Sequence, residues 1–145
     1  LKALLQRVSQ ASVCVASQQV AEIDAGLLVL LGLDKGDDIA TAERMLDKLL
    51  AYRIFADDEG RMNRSVVDIS GSVLLVSQFT LSASTNKGLR PSFSKALSPI
   101  MAEALYDDTL VMLREKHHKV EAGIFGADMQ VSLINHGPVT FLLES

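Results

Sequence analysis

The sequence holds a single cysteine, Cys14, among 145 residues. One thiol makes no internal disulfide, no CxxC redox pair and no cysteine-based zinc cluster, and such sparing use points to a reducing, cytoplasmic compartment. Tryptophan is absent and the prolines number three, Pro91, Pro99 and Pro138. No stretch rich in Pro, Gly and Ser is long enough for a linker, and no repeat or low-complexity segment is visible, so residues 1–145 read as one domain. Long hydrophobic runs are missing too. The longest covers nine residues, 25–33, and contains Gly26 and Gly32, whereas a membrane-spanning helix needs about 20. Lys2 and Arg7 have no long apolar stretch between them, so no secretory signal is expected. Positive charge is in deficit: 14 Lys and Arg stand against 18 Asp and Glu, for a net charge of −4. That excludes a wholly basic surface of the kind that coats duplex DNA or anionic lipid, and leaves room for a local patch. Finally, GxGxxG, the P-loop, HExxH and GxSxG are all absent, which removes the common nucleotide, zinc-protease and serine-hydrolase signatures.

What is present is a 48% hydrophobic chain with patterning of both periods. Residues 2–9 alternate as a half-buried strand, 12–16 and 19–23 read as a further extended pair, and 27–31 are apolar on both faces, as in a strand buried on both sides. Ile39, Ala42, Met45, Leu46, Leu49 and Leu50 form one stripe of a helix over about 38–52, capped by Asp37 or Asp38. A short strand is expected at 53–56, an irregular stretch at 61–68, a strong strand at 71–81 and a long loop at 82–97. Ser98-Pro99 opens a second helix to about residue 117, with Met101, Ala104, Leu105 and Met112 on one face. Two last strands, about 127–134 and 139–143, flank a turn. The order suggests an α/β domain whose mixed sheet curls toward a barrel under two covering helices.

Candidate chemistry is thin among the histidines. His117 and His118 are adjacent near a helix end and do not share a face, so they read as solvated residues favoured by the helix terminus. His136 sits in a turn with no sequence partner, and without a His/Asp pair for any serine a catalytic triad is not expected. Two segments stand out. Ser77-Gln78-Phe79-Thr80-Leu81 ends an apolar strand in two hydroxyls, an amide and an aromatic ring, which is either a strand running out to solvent or a polar strand end facing a ligand. Asn135-His136-Gly137-Pro138-Val139-Thr140 is either an ordinary hairpin turn or a site for a cis Gly-Pro bond, which would fix two neighbouring carbonyls in one direction.

Both segments, intact and in this order, are hallmark motifs, and on them the chain resembles the D-aminoacyl-tRNA deacylases (the D-tyrosyl-tRNA deacylase family). Leu4-Leu5-Gln6-Arg7-Val8, Tyr52-Arg53-Ile54-Phe55, Arg90-Pro91-Ser92-Phe93-Ser94 and Ala127-Asp128-Met129-Gln130-Val131 extend the likeness over essentially the whole chain. Leu1 stands where a start methionine is expected, and Ala122-Gly123-Ile124 replaces a Thr-Gly-Arg-like run, with Ile124 where a basic residue is expected. The resemblance implies hydrolysis of the ester joining a D-amino acid, or glycine, to the terminal adenosine of tRNA, by a homodimer that uses no metal or cofactor. Thr80 and Phe79 are then the catalytic candidates, the first through its hydroxyl and both through main-chain N–H groups aimed at an oxyanion, with the substrate 2′-hydroxyl as the alternative activator. Ser77, Gln78 and Met129 hold substrate; Gly137 and Pro138 of the partner subunit read chirality; Arg7, Asn135 and Thr140 support that turn. Phe125 is a further wall or core residue. Local cations for tRNA come from Arg61, Arg64, Lys87, Arg90, Lys95, Lys116 and Lys119. Two other readings remain open, an editing hydrolase for another mischarged tRNA and a non-catalytic module that binds RNA ends.

Overall fold

A computed structural model describes residues 1–145. The chain begins with β1 (Lys2–Val15), β2 (Gln18–Ile23) and β3 (Gly26–Gly32), then helix α1 (Ile39–Ala51). The short strands β4 (Phe55–Ala56) and β5 (Met62–Arg64) form a separate ribbon. After them come β6 (Ser72–Ser77), a 3-10 turn (Phe79–Ser82), α2 (Pro99–Lys116), β7 (Val120–Ala122) and β8 (Met129–Glu144).

β1 organises the sheet. Its first half pairs antiparallel with β3 and its second half with β2, while its whole length runs antiparallel to β8. β3 then pairs parallel with β6, and β6 parallel with β7. β2 comes back against β6 and β7, which curls the mixed sheet toward a barrel. The two-sided apolar pattern of residues 27–31 is explained by cores on both faces. Leu27, Val29 and Leu31 pack with Val73, Leu75 and both helices, whereas Leu28 joins Val8, Val13, Leu74 and Val76 inside the curl. Each such fully buried aliphatic side chain contributes about 1.5–3 kcal/mol relative to exposure.

α1 follows its stripe: Ala42, Met45, Leu46, Leu49 and Leu50 are buried, and Asp38 accepts from the Thr41 N–H as N-cap. That bond to the Thr41 backbone, joined by one from its hydroxyl, holds the Asp38 carboxyl below the usual carboxylate range. α2 is rotated from the expected face. Ala102, Leu105, Tyr106, Thr109 and Leu113 are buried, Ala104 is exposed, and Met101 faces solvent. Ser98 makes no side-chain cap bond there; Pro99 in the first turn leaves one fewer unpaired N–H at that helix end.

Three further expectations change. The extended segments at 2–9 and 12–16 are one continuous strand, and so are 127–134 and 139–143, because each backs the other over its full length. The Gly-Pro segment is therefore not a hairpin turn but an interruption within β8. The strand expected at 71–81 stops at Ser77. His117 is buried, not solvated: its ring Nε2 meets the Gly71 carbonyl at 2.8 Å, so it closes the base of β6.

Candidate active site

β6 carries its apolar residues into the core and emerges at Ser77. The Gln78 N–H donates to the Leu31 carbonyl at 2.7 Å, and the chain then tightens into the 3-10 turn. Gly32 permits this approach: a Cβ there would stand 2.8 Å from Leu81 Cβ and 3.2 Å from the Gln78 carbonyl. Ser82, fully buried, anchors the far end by donating to the Leu33 carbonyl. The turn's own bonding begins with the Leu81 N–H on the Gln78 carbonyl. The N–H groups of Phe79 and Thr80 precede it, as the first N–H groups of any helical turn do. The Gln78 amide donates to Thr80 Oγ1 at 2.5 Å, holding the two motif side chains together.

Beside this strand end lies a pocket of about 650 Å³, lined by Ser77, Gln78, Phe79, Met129 and Phe125 among others. Met129 sits here because Gly123 leaves room: a Cβ on Gly123 would come within 2.6 Å of its sulfur. Phe125 walls the pocket while its ring packs on Tyr106, with centroids 5.7 Å apart. Tyr106 donates to the Leu75 carbonyl, and burial, with Asp107 nearby, pushes its phenol up to about 12. Phe79 is 61% exposed and Phe93 41%, and the two rings meet at the rim with centroids 5.0 Å apart. Phe93 has no role in the sequence reading beyond its place in a family-like run. Its signal is an aromatic residue in an otherwise polar loop, far from any strand in sequence.

The second motif stands elsewhere. Between Gln6 and Val8 β1 advances two residues, while β8 retreats five, from Thr140 to Asn135. The surplus is pushed out as an elbow with a cis Gly137–Pro138 bond. The Asn135 side chain spans it, accepting from the Val139 N–H at 2.6 Å and donating to Thr140 Oγ1 at 2.9 Å. Arg7 grips it from β1, with Nε on the His136 carbonyl and Nη1 on the Ile54 carbonyl, both at 2.8 Å. Thus Arg7, Asn135, Gly137, Pro138 and Thr140 form one cluster, and Ser77, Gln78, Phe79, Thr80 and Met129 another. The elbow does not line the pocket. Met129 and Gly137 lie eight residues apart on β8, about 26 Å of extended chain. Around the elbow β8 exposes Ile134, Phe141 and Leu142.

The cations divide. Arg64 pairs with Asp58 at 2.9 Å, Arg61 stands 3.8 Å from Glu59, and Lys116 bridges Glu43 and Asp47. Lys119 donates to the Ser70 carbonyl. Lys87, Arg90 and Lys95 have no such partner. Ile124, where a basic residue was expected, is 46% exposed. No helix is long and apolar enough to cross a membrane.

A polar strand end with main-chain donors beside an apolar pocket, in a curled α/β sheet, is an arrangement that a small hydrolase can use. The family model described as D-Tyr-tRNA(Tyr) deacylase matches residues 4–144. The D-aminoacyl-tRNA deacylase of Stutzerimonas stutzeri (strain A1501) is 58% identical over 145 residues, covering 100% of both chains. That of Cellvibrio japonicus (strain Ueda107) is 58% identical over 141 residues, 97% of each. A solved structure of a c-Myc DNA unwinding element binding protein superposes with a TM-score of 0.96 at 41% identity, covering 100% of this chain and 99% of that one. The fold is shared by a probable eukaryotic D-amino acid tRNA deacylase, TM-score 0.82 at 19% identity, over 98% and 97% of the two chains. The chain belongs to the D-Tyr-tRNA(Tyr) deacylase family, and it is an enzyme that breaks an acyl ester bond.

Proposed function

We propose that the protein hydrolyses the ester of D-aminoacyl-tRNA, and of glycyl-tRNA, as a homodimer in which each pocket is completed by the partner's elbow. The carrying observation is the separation of the two motifs. The Gly137–Pro138 elbow is tied down by Arg7 and Asn135, yet it does not line the pocket of its own chain. A two-fold pair exchanges such elements reciprocally, and the apolar residues beside the elbow supply a surface for that contact.

In this reading the terminal adenosine enters the pocket beside Ser77 and Gln78, with the Phe79 ring as a stacking face. Water adds to the ester carbonyl and the N–H groups of Phe79 and Thr80 receive the oxyanion. Collapse of the tetrahedral intermediate releases the ribose hydroxyl of tRNA and a free D-amino acid. An aminoacyl ester is already activated, so the 2′-hydroxyl beside it is a sufficient proton relay, with Thr80 in support. The partner's Gly137 and Pro138 carbonyls take the α-amino group and occupy the space where an L side chain would go. Discrimination by exclusion is indifferent to the D side chain and passes glycine.

Deacylation of D-tyrosyl-, L-tyrosyl- and glycyl-tRNA tests this reading. Rapid loss of the D and glycyl esters with the L ester spared is expected. Equal rates on D and L esters would overturn it.

A further inference from the structure

Between Asp68 and Glu103 the chain contains no aspartate or glutamate, although its net charge is −4. This acid-free stretch is the one that builds the site: the end of β6, the 3-10 turn, and the rim from Phe93 to Pro99. Its only charges are Lys87, Arg90 and Lys95. The segment between is not loose. Ser84 and Ser92 exchange two main-chain hydrogen bonds, at 2.8 and 3.0 Å, and so close residues 85–91 into a finger. The Lys35 N–H on the Lys95 carbonyl and the Leu97 N–H on the Leu33 carbonyl fasten its exit arm to the end of β3. Phe93, one residue past the closing pair, packs on Phe79 at the pocket rim. The finger therefore starts at the site, and its two cations are exposed to solvent.

We propose that this finger is the phosphate grip of the site, with Lys87 and Arg90 contacting the phosphodiesters just upstream of the nucleoside held in the pocket, and Lys95 at its base. The inference rests on the reading of the substrate as an RNA ester. Three residues from Ser84 to Lys87 reach about 10 Å, which is about three nucleotide rises of 3.4 Å. Cations without internal partners break no ion pair by turning to phosphate. Lys116, held between Glu43 and Asp47, would have to give up two carboxylates. A fork-shaped guanidinium and a mobile ammonium on one short loop grip backbone without reading bases, which suits an enzyme that must accept many tRNAs.

The test is the double variant Lys87→Gln/Arg90→Gln, with Lys87→Arg and Lys116→Gln beside it. Binding of uncharged tRNA is titrated at several salt concentrations, and deacylation is compared on D-tyrosyl-tRNA and on D-tyrosyl-adenosine, which has no phosphate. Each single-strand phosphate contact contributes about 0.7 to the salt slope, so the double variant flattens it by about 1.4 and weakens low-salt binding on the order of tenfold. The loss appears in KM for the tRNA ester and is absent with the adenosine ester, while Lys87→Arg and Lys116→Gln keep the wild-type slope. An unchanged slope overturns the grip. So does an equal loss on both esters, which places the defect in the pocket. So does a changed sedimentation coefficient with the slope intact, which makes the finger a contact between protein copies. Should the wild type cleave neither ester, the deacylation reading fails on its own, and the tRNA titration still decides the grip.

Discussion

Arg7 donates Nε to the His136 carbonyl at 2.8 Å, joining residues 129 positions apart in sequence. The same guanidinium reaches the Ile54 carbonyl, so one side chain on β1 fixes the elbow of β8 to the segment after α1. A planar fork serves two carbonyls in fixed directions, and an ammonium does not. Arg7→Ala and Arg7→Lys are both expected to lower kcat/KM on D-tyrosyl-tRNA, by about 10- to 100-fold, since each lost charged hydrogen bond is worth about 1.5–3 kcal/mol. Rates on D and L esters, measured together, check it: the gap between them narrows as the elbow loosens. Wild-type kinetics in Arg7→Lys would refute the fork argument.

Gly137 has φ +147, and a Cβ there would lie 2.6 Å from Val139 Cγ2, 2.9 Å from the Val139 nitrogen and 3.1 Å from Arg7 Nη2. Gly137→Ala is expected to abolish deacylation to below about a hundredth of wild type, with a loss of stability of about 1–3 kcal/mol from backbone strain. Circular dichroism and thermal melting separate the two effects. A protein that melts like wild type and still cleaves the D ester would show that the elbow plays no part.

Gly123 differs, because the atom its Cβ would meet is the end of a flexible side chain, the Met129 sulfur at 2.6 Å. Gly123→Ala should fold, with a cost of about 1 kcal/mol or less, and push Met129 into the pocket. The expected signature is a raised KM with kcat nearly preserved. A fall in kcat alone would remove Met129 from substrate binding.

The Gln78 amide donates to the Thr80 hydroxyl oxygen, and in the proposed reaction the main-chain donors carry more than that hydroxyl does. Thr80→Ala is expected to retain activity within about tenfold, against the 100- to 1000-fold typical of losing an oxyanion donor. A substrate ending in 2′-deoxyadenosine should be the poorer one for both proteins. Complete inactivity of Thr80→Ala would promote the hydroxyl to nucleophile or base.

Tyr106 supplies the pH prediction. Its phenol, ordinarily near 10.0, is raised to about 12 in the folded state, so the unfolded chain ionises first. The stabilisation is complete below pH 10 and is lost as pH rises through 12, a term of about 3 kcal/mol. Absorbance at 295 nm should show the Tyr106 phenol ionising only in that upper range, and Tyr106→Phe should lack this phase.

Much of this architecture could be read from residue order. The stripe through Met45, Leu46 and Leu49 placed α1 to within a residue, and Leu27 through Leu31 declared a strand with two buried faces. Strand continuity was not readable. Whether 127–134 and 139–143 are two strands or one depends on β1 lying beside both, and no local pattern reports a partner 130 residues away. The face of α2 departs from its apolar pattern for a related reason: Met101 is apolar but exposed to solvent, while Thr109 is polar and buried, donating to the Leu105 carbonyl. In the site, the motif residues were visible as polar groups where apolar ones belong. Phe93 and the closed finger were not, since the Ser84–Ser92 pairing is a tertiary bond between unremarkable serines.

One strand, β8, holds both Met129 at a pocket wall and Gly137 at the elbow tip. If each working centre takes its wall from one copy and its tip from another, two inactive mutants need not be inactive together. Mixing a chain defective only at the tip with one defective only at the wall would assemble pairs in which a single centre inherits two sound halves, restoring about a quarter of the centres in pairs formed at random from equal amounts of each chain. Genetic complementation between alleles would then follow from the separation of two residues on a single ribbon of backbone.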